Sequence, residues 1–271
     1  MSVTKLKLGL IGKDVSKSGS EKIHKFILKK FGVLCEYERI SIQETELLPT
    51  LKRLFSEFDG FNVTIPYKLS VMKYLNGILD DAKEYGAVNT VVCSTKTGYN
   101  TDGRGFLQAL RAEGFEPFKK RALVLGAGGS GRSTAIALKT AGADVFLYRR
   151  NQELLKETCL ELGVKSVEKP DQGGFDLVIN ATGVGMHDSV GKSPVDGNAF
   201  LGAELAMDLI YRPRESEFLR LAKANGVKTL NGAAMLFYQA YYADCYYLSR
   251  QADEKEAEGF YKEYLLENIV Y

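Results

Sequence analysis

The chain has 271 residues, of which 45% are apolar and 26% charged, and its formal net charge is +2. This length and composition suit two folded domains and exclude disorder, while the nearly balanced charge argues against nucleic acid as a partner. Four scattered cysteines, only two histidines and the lack of a long apolar run predict no metal site, no membrane partner and a cytoplasmic protein.

Strand-like runs alternate with helical ones from the start of the chain, which predicts an α/β fold with a mostly parallel sheet. The first predicted strands are KLKLGLIG (5–12), CEYERISI (35–42), GFNVTI (60–65) and GAVNTVVC (86–93). Helical patterns cover residues 20–31, 43–57 and 66–75. A turn at Lys96–Gly98 and the segment YNTDGRGF then lead into a helix that ends near Gly114.

A βαβ unit begins in the middle of the chain, with a strand at ALVLGA, a helix at 130–141 and a strand at DVFLYRR. Further strands are predicted at FDLVINAT, ELAMDLI and VKTL, and the pattern is helical from Asn231 to the end. We therefore expect the last helices to return to the first domain. The predicted organisation is a discontinuous substrate-binding domain (1–103 and 232–271) and a Rossmann-like domain (104–231), with the active site in the cleft between them.

The loop in LVLGAGGSGRSTA (123–135) fits two phosphate-binding patterns. A Walker loop needs a lysine where this chain has Arg132, and an acid where the strand FDLVIN ends in Asn180, for which Asp208 is a weak substitute. A dinucleotide-binding loop needs a glycine turn between a strand and a helix, which this segment provides. The second interpretation is favoured, and it assigns cofactor contacts to Gly126, Ala127, Gly128, Gly129, Ser130 and Gly131.

The end of the next strand discriminates between the two nicotinamide cofactors. An NAD site places an acidic residue there for the ribose, whereas an NADP site needs positive charge for the 2′-phosphate. This chain reads YRRN, with Arg149 and Arg150. The sequence therefore predicts NADP(H), although two arginines at a strand end would also suit a solvated turn.

Polar residues are concentrated in three short segments of the first domain, NVTIPYK (62–68), GAVNT (86–90) and YNTDGRG (99–105). Lys68 and Asp102 offer an acid–base pair, and Asn62, Asn89 and Thr101 offer neutral hydrogen bonds to a hydroxylated ligand. Each segment alone would also suit a turn or a helix cap.

Seven segments in matching order resemble the shikimate dehydrogenase family, whose members reduce 3-dehydroshikimate with NADPH. They are NVTIPYK, GAVNTVV, YNTDGRGF, GAGGSGR, INATGVGM (179–186), MDLIYRP (207–213) and NGAAMLFYQA (231–240). The resemblance covers nearly the whole chain. It implies an NADP-dependent oxidoreductase of the shikimate pathway to chorismate and aromatic amino acids, with small-molecule substrates and a monomeric or homodimeric state.

The resemblance also implies roles for individual residues. Lys68 and Asp102 would be the catalytic pair. Substrate would be bound by Ser18, Ser20, Asn62, Thr64, Asn89, Thr101, Tyr211 and Gln239, with the two serines receiving its carboxylate. Beyond the glycine loop and the two arginines, the cofactor would be contacted by Asn180, Thr182, Gly183, Gly232 and Met235.

One segment departs from the family pattern. Members usually show a proline after the first glycine turn and then H-S-x-S-P before a later histidine, whereas this chain reads GKDVSKSGSEKIH (12–24). Both serines are present, but Asp14, Lys17 and Glu21 replace two prolines and a histidine. These replacements bear on substrate preference within the family. The alternatives are a quinate/shikimate dehydrogenase of relaxed specificity and, from another functional class, a non-catalytic NADP-binding homologue.

Overall fold

The computed structural model describes residues 5–79 and 81–267, which form two compact units. The first contains the described residues up to Gly105 and from Leu236 onwards, and the second contains Phe106–Met235. Each unit has a six-stranded sheet with helices, so the predicted α/β class is confirmed. The sequence-based boundaries at 103/104 and 231/232 stay predictions.

The strands of the first unit are β1 (Lys5–Gly12), β2 (Leu34–Ser41), β3 (Gly60–Val63), β4 (Gly77–Ile78), β5 (Thr90–Val92) and β6 (Thr97–Tyr99). Its first helices are α1 (Ser20–Lys30), α2 (Leu47–Glu57) and α3 (Asp81–Tyr85), and α4 (Asp102–Ala112) begins in it. The sheet order is β2-β1-β3-β5-β6-β4. β1 is parallel to β2 and β3, and β4 is parallel to β6, whereas β5 is antiparallel to β3 and β6, so this sheet is mixed but mostly parallel, as predicted. The turn between β5 and β6 is too short for the crossover that parallel strands need, so the two strands form an antiparallel hairpin.

The α-helix predicted over residues 66–75 does not form at these described positions, so the prediction is wrong. Turns extend to Val71, and a single 3-10 turn covers Met72–Tyr74. Tyr67 and Val71 pack into the core, and the Tyr67 hydroxyl donates to the Ile42 carbonyl over 2.7 Å. These long-range contacts outweigh the local helical pattern.

The second unit is a regular parallel α/β structure. In chain order its elements are β7 (Arg121–Leu125), α5 (Gly129–Thr140), β8 (Asp144–Tyr148), α6 (Gln152–Leu162), β9 (Lys165–Ser166), β10 (Leu177–Asn180), β11 (Leu205–Asp208), α7 (Glu217–Ala224) and β12 (Lys228–Leu230). All pairings are parallel, in the order β12-β11-β10-β7-β8-β9. Counted within the unit this is the Rossmann order 3-2-1-4-5-6, and the strand order reverses between β7 and β10.

The C-terminal helical region consists of α8 (Ala233–Tyr247) and α9 (Glu254–Leu266). The predicted continuous helical pattern is interrupted between them, and the Asp253 side chain caps α9 by accepting from two backbone N–H groups. Phe237 of α8 contacts the rings of Phe26 in α1 and Tyr264 in α9. In the described ranges, no helix combines the length and apolar character that crossing a membrane requires.

Candidate active site

Lys68 and Asp102, which are 34 residues apart, form an ion pair in the first unit. Lys68 lies in the turns after β3, and Asp102 is the first residue of α4. Lys68 Nζ is 2.5 Å from Asp102 Oδ2, and their side chains are only 12% and 9% exposed. A pair so shielded from water is expensive unless its remaining polar atoms are also hydrogen-bonded.

Asn89 supplies the second hydrogen bond to the Asp102 carboxylate. Its Nδ2 donates to Asp102 Oδ1 over 2.8 Å and to Thr101 Oγ1 over 3.1 Å, and its Oδ1 accepts from the Thr101 backbone over 2.9 Å. Thr101 Oγ1 in turn lies 3.4 Å from Gln239 Oε1 on α8. Both carboxylate oxygens are thus engaged, so the orientation of Asp102 toward Lys68 is fixed.

Glycines allow the first turn of α4 to approach its neighbours closely. A Cβ atom at Gly105 would collide with the backbone of Gln239, and one at Gly103 would collide with the Tyr85 hydroxyl. Glycine at both positions avoids these collisions without movement of the Gln239 backbone or of the Tyr85 side chain. The segment TDGRG therefore places Asp102 through close packing as well as through hydrogen bonds.

Asn62 lies in β3, and Thr64 is the first residue after that strand. Asn62 is buried, and its Nδ2 donates to the Asn89 carbonyl over 3.2 Å and to Thr90 Oγ1 over 3.3 Å. Thr90 Oγ1 also donates to Asn89 Oδ1 over 2.8 Å. The Thr64 methyl group lies against Gly12. Thr90 was missed by the sequence reasoning, although it stands beside Asn89 in the quoted segment GAVNT.

The two serines of the departing segment lie together at the start of α1. Ser18 Oγ donates to Ser20 Oγ over 3.1 Å, and Ser20 is the first residue of the helix. Glu21, which replaces a proline of the family pattern, pairs with Lys25 at 2.8 Å and Arg39 at 3.3 Å. Because two cations oppose the Glu21 charge, it repels an anion at the serines less than a bare carboxylate would.

The glycine loop of the second unit lies at the carboxyl end of β7, where the strand order reverses. Gly126 has φ +101°, and a Cβ atom there would meet Ala181 and Thr182. A Cβ at Gly131 would collide with the Gly126 carbonyl, whereas one at Gly128 would meet no atom within 4 Å. Gly126 thus permits the tight turn, and Gly131 permits close packing of the helix against it. Gly128 leaves open space beside the N-terminus of α5.

Arg149 and Arg150 lie between the end of β8 and the start of α6. The Arg149 guanidinium is 3.5 Å from Thr158 Oγ1 of α6, and Arg150 is exposed. Arg132, at the position where a Walker loop needs lysine, is ion-paired with Glu161. Arg149 and Arg150 directly follow Tyr148, whose carbonyl accepts from the Gly126 N–H over 2.8 Å, so their positive charge lies beside the glycine loop, as a 2′-phosphate site requires.

Asn180 ends β10 and belongs to a buried polar network. Its Nδ2 donates to Asp208 Oδ1 over 3.1 Å, and its Oδ1 accepts from the backbone and hydroxyl of Thr182. Asp208 Oδ2 accepts from Ser216 Oγ over 2.5 Å. Burial raises the pKa of Asp208 to about 6, against the opposing effect of its hydrogen bonds. These contacts hold the segment from Asn180 to Gly183 in place.

Asp208 and Ser216 were not assigned to the site from the sequence, where Asp208 was weighed only as a metal-binding acid. The signal was available, because β10 and β11 are adjacent parallel strands that end in Asn180 and Asp208. No group of three or more His, Cys, Asp or Glu residues suited to a metal occurs within residues 5–79 and 81–267.

The remaining predicted positions lie in the segments before and within α8. The Gly232 N–H donates to the Ile210 carbonyl over 3.1 Å, and a Cβ at Gly232 would collide with the Leu209 carbonyl. Met235 is buried and Tyr211 is half-buried. Both lie in the second unit, so their predicted contacts with nicotinamide and substrate stay predictions.

Comparison with curated proteins identifies the relatives of this chain. A shikimate dehydrogenase (NADP(+)) from Thermus thermophilus is 38% identical over 236 residues, or 86% of this chain and 89% of the relative. One from Methanococcus maripaludis is 38% identical over 256 residues, or 88% of this chain and 89% of the relative. The chain belongs to the shikimate dehydrogenase family. Residues 10–91 also match the family model for the shikimate dehydrogenase substrate binding domain.

Solved structures of the family share the fold. Shikimate 5-dehydrogenase from Thermus thermophilus, in complex with NADP(H) and shikimate, has a TM-score of 0.87 at 33% identity and covers 95% of this chain and 99% of its own. A chorismate mutase/shikimate 5-dehydrogenase fusion protein from Clostridium acetobutylicum has a TM-score of 0.88 at 35% identity, with 99% of both chains covered. The resemblance and the two-domain fold expected from the sequence are confirmed.

Proposed function

We propose that this chain is an NADP-dependent shikimate dehydrogenase that reversibly reduces 3-dehydroshikimate to shikimate, in the pathway to chorismate and the aromatic amino acids. The observation that carries the proposal is the buried Lys68–Asp102 pair, in a chain whose curated relatives are NADP(+)-dependent shikimate dehydrogenases. Lys68 and Asp102 are the proposed catalytic residues.

The second unit fits NADP(H). The open space at Gly128 admits a pyrophosphate to the N-terminus of α5, where free backbone N–H groups favour negative charge. Arg149 and Arg150 would bind the 2′-phosphate through charge-assisted hydrogen bonds. Asn180 and Thr182 would border the cofactor from the β10 side. When bound, the cofactor supplies the hydride.

Lys68 is the proposed proton donor and acceptor. As the C3 carbonyl is reduced, negative charge develops on its oxygen, and the Lys68 ammonium stabilises that charge and delivers a proton. Asp102, fixed by Asn89, keeps the ammonium in place. In the oxidation of shikimate the same nitrogen accepts the hydroxyl proton, so this direction requires the neutral amine.

The first unit also supplies the proposed contacts with the rest of the substrate. Ser18 and Ser20 would donate to its carboxylate. The ring hydroxyls would be bound by Asn62, Thr64, Asn89, Thr101 and Gln239, with Tyr211 from the second unit. Four of these side chains already belong to one hydrogen-bonded network, so little side-chain entropy remains to be lost when substrate binds.

Absorbance of reduced nicotinamide tests the proposal directly. We expect a signal when the protein is mixed with shikimate and NADP⁺, and a weaker one with NAD⁺. A signal with quinate as well as with shikimate would favour the quinate/shikimate dehydrogenase of relaxed specificity, and a signal with quinate and NAD⁺ alone would overturn the proposal. No signal with either substrate would favour a non-catalytic NADP-binding protein. The monomeric or homodimeric state and the cytoplasmic location stay predictions.

A further inference from the structure

The hydroxyl group of Tyr37, in β2, lies between two of the proposed substrate-binding residues. It donates to Asn62 Oδ1 over 3.3 Å, and the Ser20 side chain also hydrogen-bonds it. Ser18 donates to Ser20, so hydroxyl groups form one series from Ser18 to Asn62. A hydroxyl donates and accepts at once, which lets Tyr37 serve Ser20 in either sense.

The aromatic ring of Tyr37 is fixed by a buried pair. It stacks on the His24 imidazole, with ring centroids 5.1 Å apart and an interplanar angle of 19°. His24 Nδ1 is 2.6 Å from Asp244 Oδ1, and both side chains are fully buried. His24 follows Ser20 by four residues in α1, so both lie on the same face of that helix. The stack therefore sets the Tyr37 hydroxyl beside Ser20.

Tyr37 keeps its proton near neutral pH. Burial is the main cause that raises the pKa of Tyr37 well above its ordinary value, and Asp244 adds to the effect. The neutral phenol is therefore available as a hydrogen-bond donor under the conditions of the proposed reaction.

We propose that Tyr37 is a positioning residue for the substrate carboxylate, acting through Ser20 and Asn62; this inference rests on the proposed function. When the Ser20 proton turns to a carboxylate oxygen, the Tyr37 proton turns from Asn62 Oδ1 to the Ser20 oxygen, which accepts it as a hydrogen bond. Hydrogen bonds in series polarise one another, so Ser20 becomes a stronger donor. Tyr37 contacts neither member of the Lys68–Asp102 pair in the described hydrogen bonds, so its effect falls on substrate binding.

Tyr37→Phe tests the inference, because it keeps the ring and its stack on His24 and removes only the hydroxyl. We expect the KM for shikimate to rise about 3- to 10-fold, as the loss of one net hydrogen bond implies, with kcat and the KM for NADP⁺ unchanged. Tyr247→Phe is a matched control. The Tyr247 ring lies 6.4 Å from the same imidazole, and its buried hydroxyl has no partner among the described residues.

The Tyr247→Phe control should leave the KM for shikimate unchanged. An unchanged KM in Tyr37→Phe, a loss confined to kcat, or an equal KM rise in both variants would overturn the inference. In a Ser20→Ala background, Tyr37→Phe should raise KM less than in the wild type, and an undiminished rise would overturn the route through Ser20. A wild-type protein that does not oxidise shikimate would overturn the proposed function and this inference together. A wild-type protein that oxidises shikimate while Tyr37→Phe keeps its KM would overturn the inference alone.

Discussion

The two units hold their candidate residues by different means. In the second unit the loop after β7 depends on backbone conformation, with Gly126 at φ +101° and Gly131 packed against it. In the first unit a network of side chains links Asn62, Asn89 and Asp102 and ends at Lys68. The comparison teaches that substitutions in the first unit should change rate or shikimate binding, and those in the second should change cofactor binding or stability.

The largest expected effect is on the rate, from the first unit. Lys68→Ala should lower kcat by about 10²–10⁴-fold, because proton transfer and charge stabilisation act mainly in the transition state. NADP⁺ affinity and the circular dichroism spectrum should be unchanged. Lys73→Ala, which removes an exposed lysine from the same part of the chain, is the control and should keep wild-type turnover.

The opposite pattern is expected from the second unit. Arg149→Ala with Arg150→Ala should weaken NADP⁺ binding by about 10- to 150-fold, since one charge-assisted hydrogen bond contributes about 1.5–3 kcal/mol. NAD⁺ lacks the 2′-phosphate and should bind nearly as before. Titration of both cofactors measures this, with Arg220→Ala on α7 as the control. Equal losses for the two cofactors would show that these arginines do not recognise the phosphate.

A stability effect should distinguish the buried network of the second unit. Burial raises the pKa of Asp208 from 3.8 to about 6. Because the folded protein favours the protonated carboxyl, this preference stabilises the fold fully at pH values below 3.8, the pKa in the unfolded chain. The stabilisation is lost as pH rises through about 6, the pKa in the folded protein. The asparagine in Asp208→Asn cannot ionise, so the variant does not lose this stabilisation as pH rises. The free energy of unfolding of the variant minus that of the wild type should therefore increase by about 2 kcal/mol between about pH 4.5 and 7. Chemical denaturation at several pH values measures it, and a constant difference would contradict the raised pKa.

The smallest effect should come from the substrate end of the first unit. Ser18→Ala with Ser20→Ala should raise the KM for shikimate about tenfold, from the loss of two hydrogen bonds. The KM for NADP⁺ should not change. Ser16→Ala is the matched control, because its hydroxyl donates to Asp14 in the same segment. Normal shikimate binding in the double variant would place the carboxylate elsewhere, for instance on Lys17.

Much of the second unit was predictable because its determinants are local. A short strand, a glycine turn and a helix follow one another in the sequence, and period and composition reveal them. The helix wrongly predicted at 66–75 shows the limit, since contacts of Tyr67 with residues far along the chain decide its conformation. Lys68 and Asp102 were recognised as an acid–base pair from their residue types, and the family resemblance implied their catalytic role. Tyr37 was missed because its partners come from other elements.

A double-mutant cycle on Lys68 and Asp102 tests the central claim most directly. The rate of shikimate oxidation at saturating NADP⁺ is measured for the wild type, Lys68→Ala, Asp102→Asn and the double variant. The two side chains are 2.5 Å apart and act as one unit in this account. The combined loss should therefore be far smaller than the product of the single losses. Independent, multiplicative losses, or near-wild-type turnover in folded Lys68→Ala, would contradict it.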